Sequence, residues 1–257
     1  MRFNAELGME IIKAIEAIMP DGTSFWKAAD EDYKFDEFYG ANEYGEFLTY
    51  TDIRNAIMAV DPMATIDNGY SKMVIISPNL GDVVLKIPFR GIIVLEPYTF
   101  RPFKDAPYDC EWNYCESECI IYNMLKELDL IQYVAETAFF TKLGDIPCYV
   151  QEAVIKESDI DDTFHKISIN SMNSAETIQN DVFVLHDISV NWLGLCIDSY
   201  GEESLQQFIT LIKDIKSCGF YISSDLHENN YGERLDGTPC ILDFSGFFDV
   251  TCFDYLE

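Results

Sequence analysis

The chain has 257 residues, 48% hydrophobic and 14% aromatic, enough for one two-lobed domain or two small ones with a sizeable core. Its formal charge of −28, from 45 acidic and 17 basic side chains, argues against gripping a polyanion by counterion release, so no direct nucleic-acid contact is expected. No apolar run reaches the roughly 18 residues of a membrane span, and no membrane partner is expected.

Met1-Arg2-Phe3-Asn4 leads into an amphipathic stretch rather than an apolar one, unlike a secretory signal. A cytoplasmic location with reduced thiols is therefore expected for the eight cysteines, at 110, 115, 119, 148, 196, 218, 240 and 252. Cys115 and Cys119 lie four apart, as helical metal ligands do, but no matching His or Cys pair completes a site. They read as buried thiols. The acidic balance suits solubility and self-avoidance, or attraction of a basic partner.

In chain order, residues 5–19 carry an apolar face of Leu7, Ile11, Ile12, Ile15, Ile18 and Met19, the pattern of an amphipathic helix ended by Pro20-Asp21-Gly22. Residues 27–50 are acidic and rich in Tyr and Phe, and read as short helices and turns without a clear period. Thr51-Asp52 is placed to cap a helix running to Val60, which Asp61-Pro62 stops. Residues 66–89 read as two strands, 73–76 and 83–87, joined by the turn Pro78-Asn79-Leu80-Gly81-Asp82. A short apolar strand is expected at 92–95 and a helix over 109–128.

Two strands are expected in 131–154, around Gly144-Asp145-Ile146-Pro147. Segments 174–180 and 181–195 have room for helices. Leu205, Phe208, Ile209, Ile212 and Ile215 make one face of a helix over 202–218, with Gly219 as its C-cap. Phe220-Tyr221-Ile222 is short, apolar and β-prone. The polar loop 225–230 follows, then the Asp236-Gly237 hairpin signal and the apolar run Cys240-Ile241-Leu242.

Asp225, Asn230 and Asp243 thus flank a loop, a hairpin and a strand that would return the two aspartates to one edge. An Asx-turn and a hairpin in an ordinary α/β domain account for any one of them. All three at this spacing carry a stronger signal. Asp225 to Asn230 matches D-x-x-x-x-N, and Asp243-Phe244-Ser245-Gly246, beginning 18 positions after Asp225, matches D-F-G with one serine inserted. Val83-Val84-Leu85-Lys86 matches the V-A-I-K strand.

On these motifs the chain resembles the protein-kinase superfamily. Asp225-Leu226-His227 is also similar to the loop of the branch that includes aminoglycoside and choline kinases. Ser223 and Ser224 replace the family's His and Arg, which takes away the arginine that clamps a phosphorylated activation loop. The resemblance covers about residues 66–246. Eleven residues follow Gly246, too few for the activation segment, the A-P-E motif and the later helices. In this the chain is similar to minimal kinases of some phages and bacteria.

The resemblance implies an α+β, two-lobed kinase-like fold with a truncated C-lobe. Its parts would be an acidic helical N-terminal extension over 1–62, an N-lobe over 63–154 and a minimal C-lobe over 155–257. It implies ATP and Mg²⁺ as cofactors, Asp225 as the catalytic base, and Asn230 and Asp243 as oxygen ligands for the metal. Lys86 would hold the α- and β-phosphates. Glu118 would pair with it, since Ile121, Tyr122 and Leu125 follow at the spacing of E-x-x-I-L-x-x-L; Glu116 is the runner-up and Glu111 the third choice. Gly69, the single survivor of the glycine loop, and Ser71 would cover the phosphates. Backbone around Glu152 to Val154 would meet the adenine. The expected activity is phosphotransfer to a protein Ser/Thr residue, or to a small-molecule alcohol. The rival expectation is a pseudokinase or acidic interaction protein that inhibits a basic or nucleic-acid-binding partner. The sequence sets no oligomeric state.

Overall fold

Asn4 opens the first helix, α1 (Ala5–Glu16), its side chain accepting from the Leu7 amide at 3.3 Å. Ile11, Ile12 and Ile15 are buried along one stripe, as the sequence period requires. We describe the fold from a computed structural model covering residues 2–29, 37–42, 44–94, 99–102, 113–156, 167–181, 188–217 and 229–244. The architecture is mixed α+β. The chain divides into one unit of Met1–Ser117 with Thr137–Glu152, and a second of Glu118–Glu136 with Ala153–Glu257.

The first unit contains α1, α2 (Tyr50–Val60) and two five-stranded sheets. One sheet has the order β3-β2-β1-β7-β8, from β1 (Ser24–Ala29), β2 (Phe38–Ala41), β3 (Phe47–Leu48), β7 (Gly91–Val94) and β8 (Thr99–Pro102). It corrects the reading of residues 27–50 as short helices and turns: among the described residues there, strands β1, β2 and β3 stand between the two helices α1 and α2. Ser24–Ala29 is buried along its whole length, which hides the alternation that signals a strand. Its parallel partner β7 begins at Gly91, opposite Trp26, too far along the chain for any local pattern to show. Capping is corrected too. Thr49, not Thr51, caps α2, in a reciprocal box with Asp52.

The other sheet has the order β4-β5-β6-β10-β9 and is antiparallel throughout. Its strands are β4 (Thr65–Asn68), β5 (Lys72–Ile76), β6 (Val83–Pro88), β9 (Thr137–Leu143) and β10 (Ile146–Glu152). Segment 66–89 therefore holds parts of three strands rather than two. Thr-Ile-Asp-Asn is too polar to read as β from sequence, and forms an edge strand by pairing with β5. Between β5 and β6 a short 3-10 turn spans Pro78–Leu80. Gly81 follows at φ 94°, where a Cβ would lie 2.5 Å from the Arg2 carbonyl oxygen. Met73, Ile75, Val83, Leu85, Ile87, Cys148 and Val150 share one core with Ile11, Ile12 and Ile15 of α1 and Ile53 and Ile57 of α2. Each such side chain contributes about 1.5–3 kcal/mol by leaving water.

The second unit holds most of α3 (Tyr114–Glu127), α4 (Ile169–Asp181), α5 (Val190–Tyr200), α6 (Glu202–Ser217) and a three-stranded sheet. That sheet is β11-β12-β13, from β11 (Val154–Lys156), β12 (Tyr231–Arg234) and β13 (Pro239–Ile241). Its core gathers Ile121, Leu125, Tyr133, Trp192, Phe208, Ile241 and Phe244. Cys115, Cys119, Cys148, Cys196 and Cys240 are buried free thiols. Among the described residues no helix is long and apolar enough to cross a membrane.

Candidate functional site

Val83, Leu85 and Ile87 face the core, so strand alternation turns Val84 and Lys86 to the opposite face of β6. Lys86 is only 2% exposed. Its cross-strand partners are Val74 on β5 and Tyr149 on β10. Tyr149 is the centre of a closed set of hydrogen bonds. Its hydroxyl donates to Glu116 Oε2 at 2.6 Å and accepts from Asn113 Nδ2 at 2.9 Å. Asn113 Oδ1 in turn accepts from the Glu116 amide at 2.7 Å. The first turn of α3 is thereby tied to the neighbour of Lys86 on the same sheet face.

Burial pushes the Tyr149 hydroxyl far above its ordinary range, and the bond to Glu116 adds to this. It remains a neutral donor. A register shift between Cys148 and Tyr149 leaves Phe140 unmatched on β9. Alternation along β10, which the bulge on β9 leaves intact, puts Tyr149 and Gln151 on the Lys86 face while Cys148 and Val150 stay in the core.

Glu118 lies on α3 and is completely buried. A buried carboxylate is tolerated only with partners. Glu116, the second choice from sequence, is the carboxylate bonded to Tyr149. Gly69 and Ser71 form the turn between β4 and β5, pinned by bonds from the Gly69 amide to the Lys72 carbonyl (3.0 Å) and from the Phe89 amide to the Ser71 carbonyl (2.8 Å). Lys27 of β1 donates to the Asn68 side chain at the other end of that turn. Neither Lys27 nor Asn68 stood out in the sequence, since their pairing crosses two sheets. Glu152 ends β10 and Val154 begins β11.

In the second unit the β12–β13 hairpin turns at Gly237 (φ 83°), where Asp236-Gly237 predicted it. Tyr231 pairs with Ile241, so the residues just outside the ladder meet. The Asn230 carbonyl accepts from the amides of Leu242 (2.9 Å) and Asp243 (3.3 Å). Asn230 is buried and Asp243 half-buried. Asp225, Ser223, Ser224, Glu111 and Gly219 lie outside the described residues, as does Gly246.

Arg234 braces the hairpin, donating to the carbonyls of Gln132 (3.0 Å), Val134 (2.9 Å) and Pro239 (3.1 Å) and to the Tyr200 hydroxyl (3.0 Å). Trp192 Nε1 donates to the Gly232 carbonyl at 3.2 Å. At Gly232 a Cβ would fall 1.9 Å from the Ile155 carbonyl oxygen, so only glycine permits β11 and β12 to approach this closely. Among the described residues no group of three His, Cys, Asp or Glu side chains gathers as a metal site. An open groove in the first unit, lined by Glu16, Asp21, Arg90 and Asp145 among others, includes none of the predicted site residues. In sequence comparison, no protein-family model and no curated protein matches the chain.

Proposed function

We propose that the protein is an ATP-dependent phosphotransferase of the kinase-like class, acting on a protein Ser/Thr hydroxyl. The observation that carries this reading is the meeting of Asn230 and Asp243 at the open end of the β12–β13 hairpin. Their backbones are joined there by a hydrogen bond, and a side-chain amide oxygen together with a carboxylate is a donor pair that suits a hard cation such as Mg²⁺. The buried Lys86 on a polar sheet face supports a phosphate-gripping role, and the burial of Glu118 supports its role as the lysine's counter-charge. Asp225 is assigned as the group that orients and accepts the proton of the attacking hydroxyl. Gly69 and Ser71 are assigned to the phosphates, and the backbone of Glu152 to Val154 to the adenine. Catalysis would be positioning and charge neutralisation. The buried free thiols fit a cytoplasmic setting.

Asp225-Leu226-His227 favours a small-molecule alcohol as the alternative acceptor. The charge of −28 favours a second reading, a non-catalytic partner of a basic protein. Incubation with Mg²⁺ and γ-labelled ATP, with and without cell lysate, separates these. Label on the protein itself or on lysate proteins, lost in Asp225→Ala and Asp243→Ala, is the expected result. An Asp243→Ala protein as active as wild type would overturn the assignment. Absence of both label and ATP-induced thermal stabilisation would favour the acidic binding protein.

A further inference from the structure

We infer that Lys72 is a second phosphate-binding residue, which with Lys86 grips two different phosphates of one nucleotide tail. The inference rests on the ATP-binding reading above. Lys72 pairs with Pro88 and Lys86 with Val74, so the two lysines stand on a diagonal of the same sheet face, about 7 Å apart at the backbone. They are 4% and 2% exposed.

Two lysines rooted on neighbouring strands of one sheet face, and both withdrawn from water, lose hydration, and like charges rooted there do not stabilise each other. A chain with only 17 basic residues in 257 has little reason to spend two of them this way for packing alone. Each engages other groups of the protein, so ligand binding is an exchange of partners rather than a filling of empty valences. A di- or triphosphate spreads several negative charges along a flexible chain, and two flexible lysine stems can follow it. A lone carboxylate offers one charge to one of them.

Placement supports the assignment. Lys72 follows the Gly69–Ser71 turn directly, and its carbonyl accepts from the Gly69 amide. Lys27 anchors the opposite end of the turn through Asn68. The turn and Lys72 are therefore held as one piece, at the end of the strand whose next outward residue, Val74, pairs with Lys86. Lys72 does not stand out in the sequence, because its diagonal to Lys86 is set by strand pairing and not by spacing along the chain.

The test is calorimetric titration of wild type, Lys72→Gln and Lys72→Arg with ATP, ADP and AMP in Mg²⁺. Lys72→Gln is expected to lose at least tenfold in ATP affinity, less in ADP affinity, and to keep wild-type affinity for AMP. Lys72→Arg should recover most of the loss. Wild type binding ATP, with Lys72→Gln keeping the same ATP-to-AMP ratio, overturns the inference alone. Wild type binding none of the three nucleotides overturns the nucleotide reading and this inference with it. Should Lys72→Gln not fold, ¹³Cε-lysine NMR of wild type, assigned through Lys72→Arg, decides. A Lys72 resonance that moves with ATP and not with AMP supports the inference, and one that moves with neither overturns it.

Discussion

The sheet β4-β5-β6-β10-β9 lies with one face on an apolar core shared with α1 and α2, whereas the hairpin β12–β13 is also aimed by hydrogen bonds to particular atoms. Lys86 inherits its position from Leu85 and Ile87, whose burial on one face fixes the strand's register and hence the other face. Asn230 and Asp243 inherit theirs from the ladder that pairs Tyr231 with Ile241, and that ladder is braced by Arg234 and Trp192. Apolar burial is non-directional and forgives changes of shape at constant volume. Directed bonds in a buried setting do not forgive the loss of one partner.

The largest effect should come from breaking the directed side. Arg234→Met removes a charged donor from three carbonyls and the Tyr200 hydroxyl. Unpairing these groups is expected to cost about 3 kcal/mol or more. Urea denaturation of the variant should show a midpoint far below wild type. A loss under about 1 kcal/mol would mean that water replaces the guanidinium and that the hairpin is held by its ladder alone.

The apolar side should answer differently to a conservative change. Leu85 is fully buried on the core face of β6, next to Lys86. Leu85→Met keeps the volume and should cost less than about 1.5 kcal/mol, and should leave the ATP affinity proposed above unchanged. A larger loss, or a loss of affinity at unchanged stability, would show that the position of Lys86 depends on the shape of its neighbour as well as on register.

The same contrast explains what could be read from the sequence. Asp236-Gly237 places its turn by local chemistry, and the stripe Ile11, Ile12 and Ile15 places its helix by period; both are local signals and both were legible. The V-V-L-K run marked a buried strand carrying Lys86, although the strand runs on to Pro88 and leaves Lys86 inside it rather than at its end. Strands β1 to β3 were not legible because Ser24–Ala29 is buried on both sides, and β1 pairs with a strand more than 60 residues on, so neither alternation nor a turn signal marks it. Lys72 and Lys27 escaped notice for a related reason. Their meaning comes from a cross-strand diagonal and a sheet-to-sheet bond, which no spacing along the chain expresses. The grouping of Asn113, Glu116 and Tyr149 is of the same kind.

One directed device does exist behind the Lys86 sheet, and it should give the smallest effect. Asp61, at the C-terminal end of α2, accepts from Ser77, from Asn79 Nδ2 at 2.9 Å and from the Met63 amide at 3.0 Å. It ties α2 to the turn that leads into β6. Burial alone pushes its carboxyl up, but the bonds from Ser77, Asn79 and Met63 together bring it below the ordinary carboxylate value. A folded value below the unfolded one means that the ionised group adds stability above roughly pH 4, and that this is lost as pH falls through the lower folded value. Asp61→Asn should therefore cost about 1 kcal/mol near neutral pH. The gap between variant and wild type should close as the solution is acidified below about pH 4. Thermal melts across that range give the answer. A gap that stays constant into acid would assign the loss to altered packing of the amide and leave the sheet held by its apolar face alone.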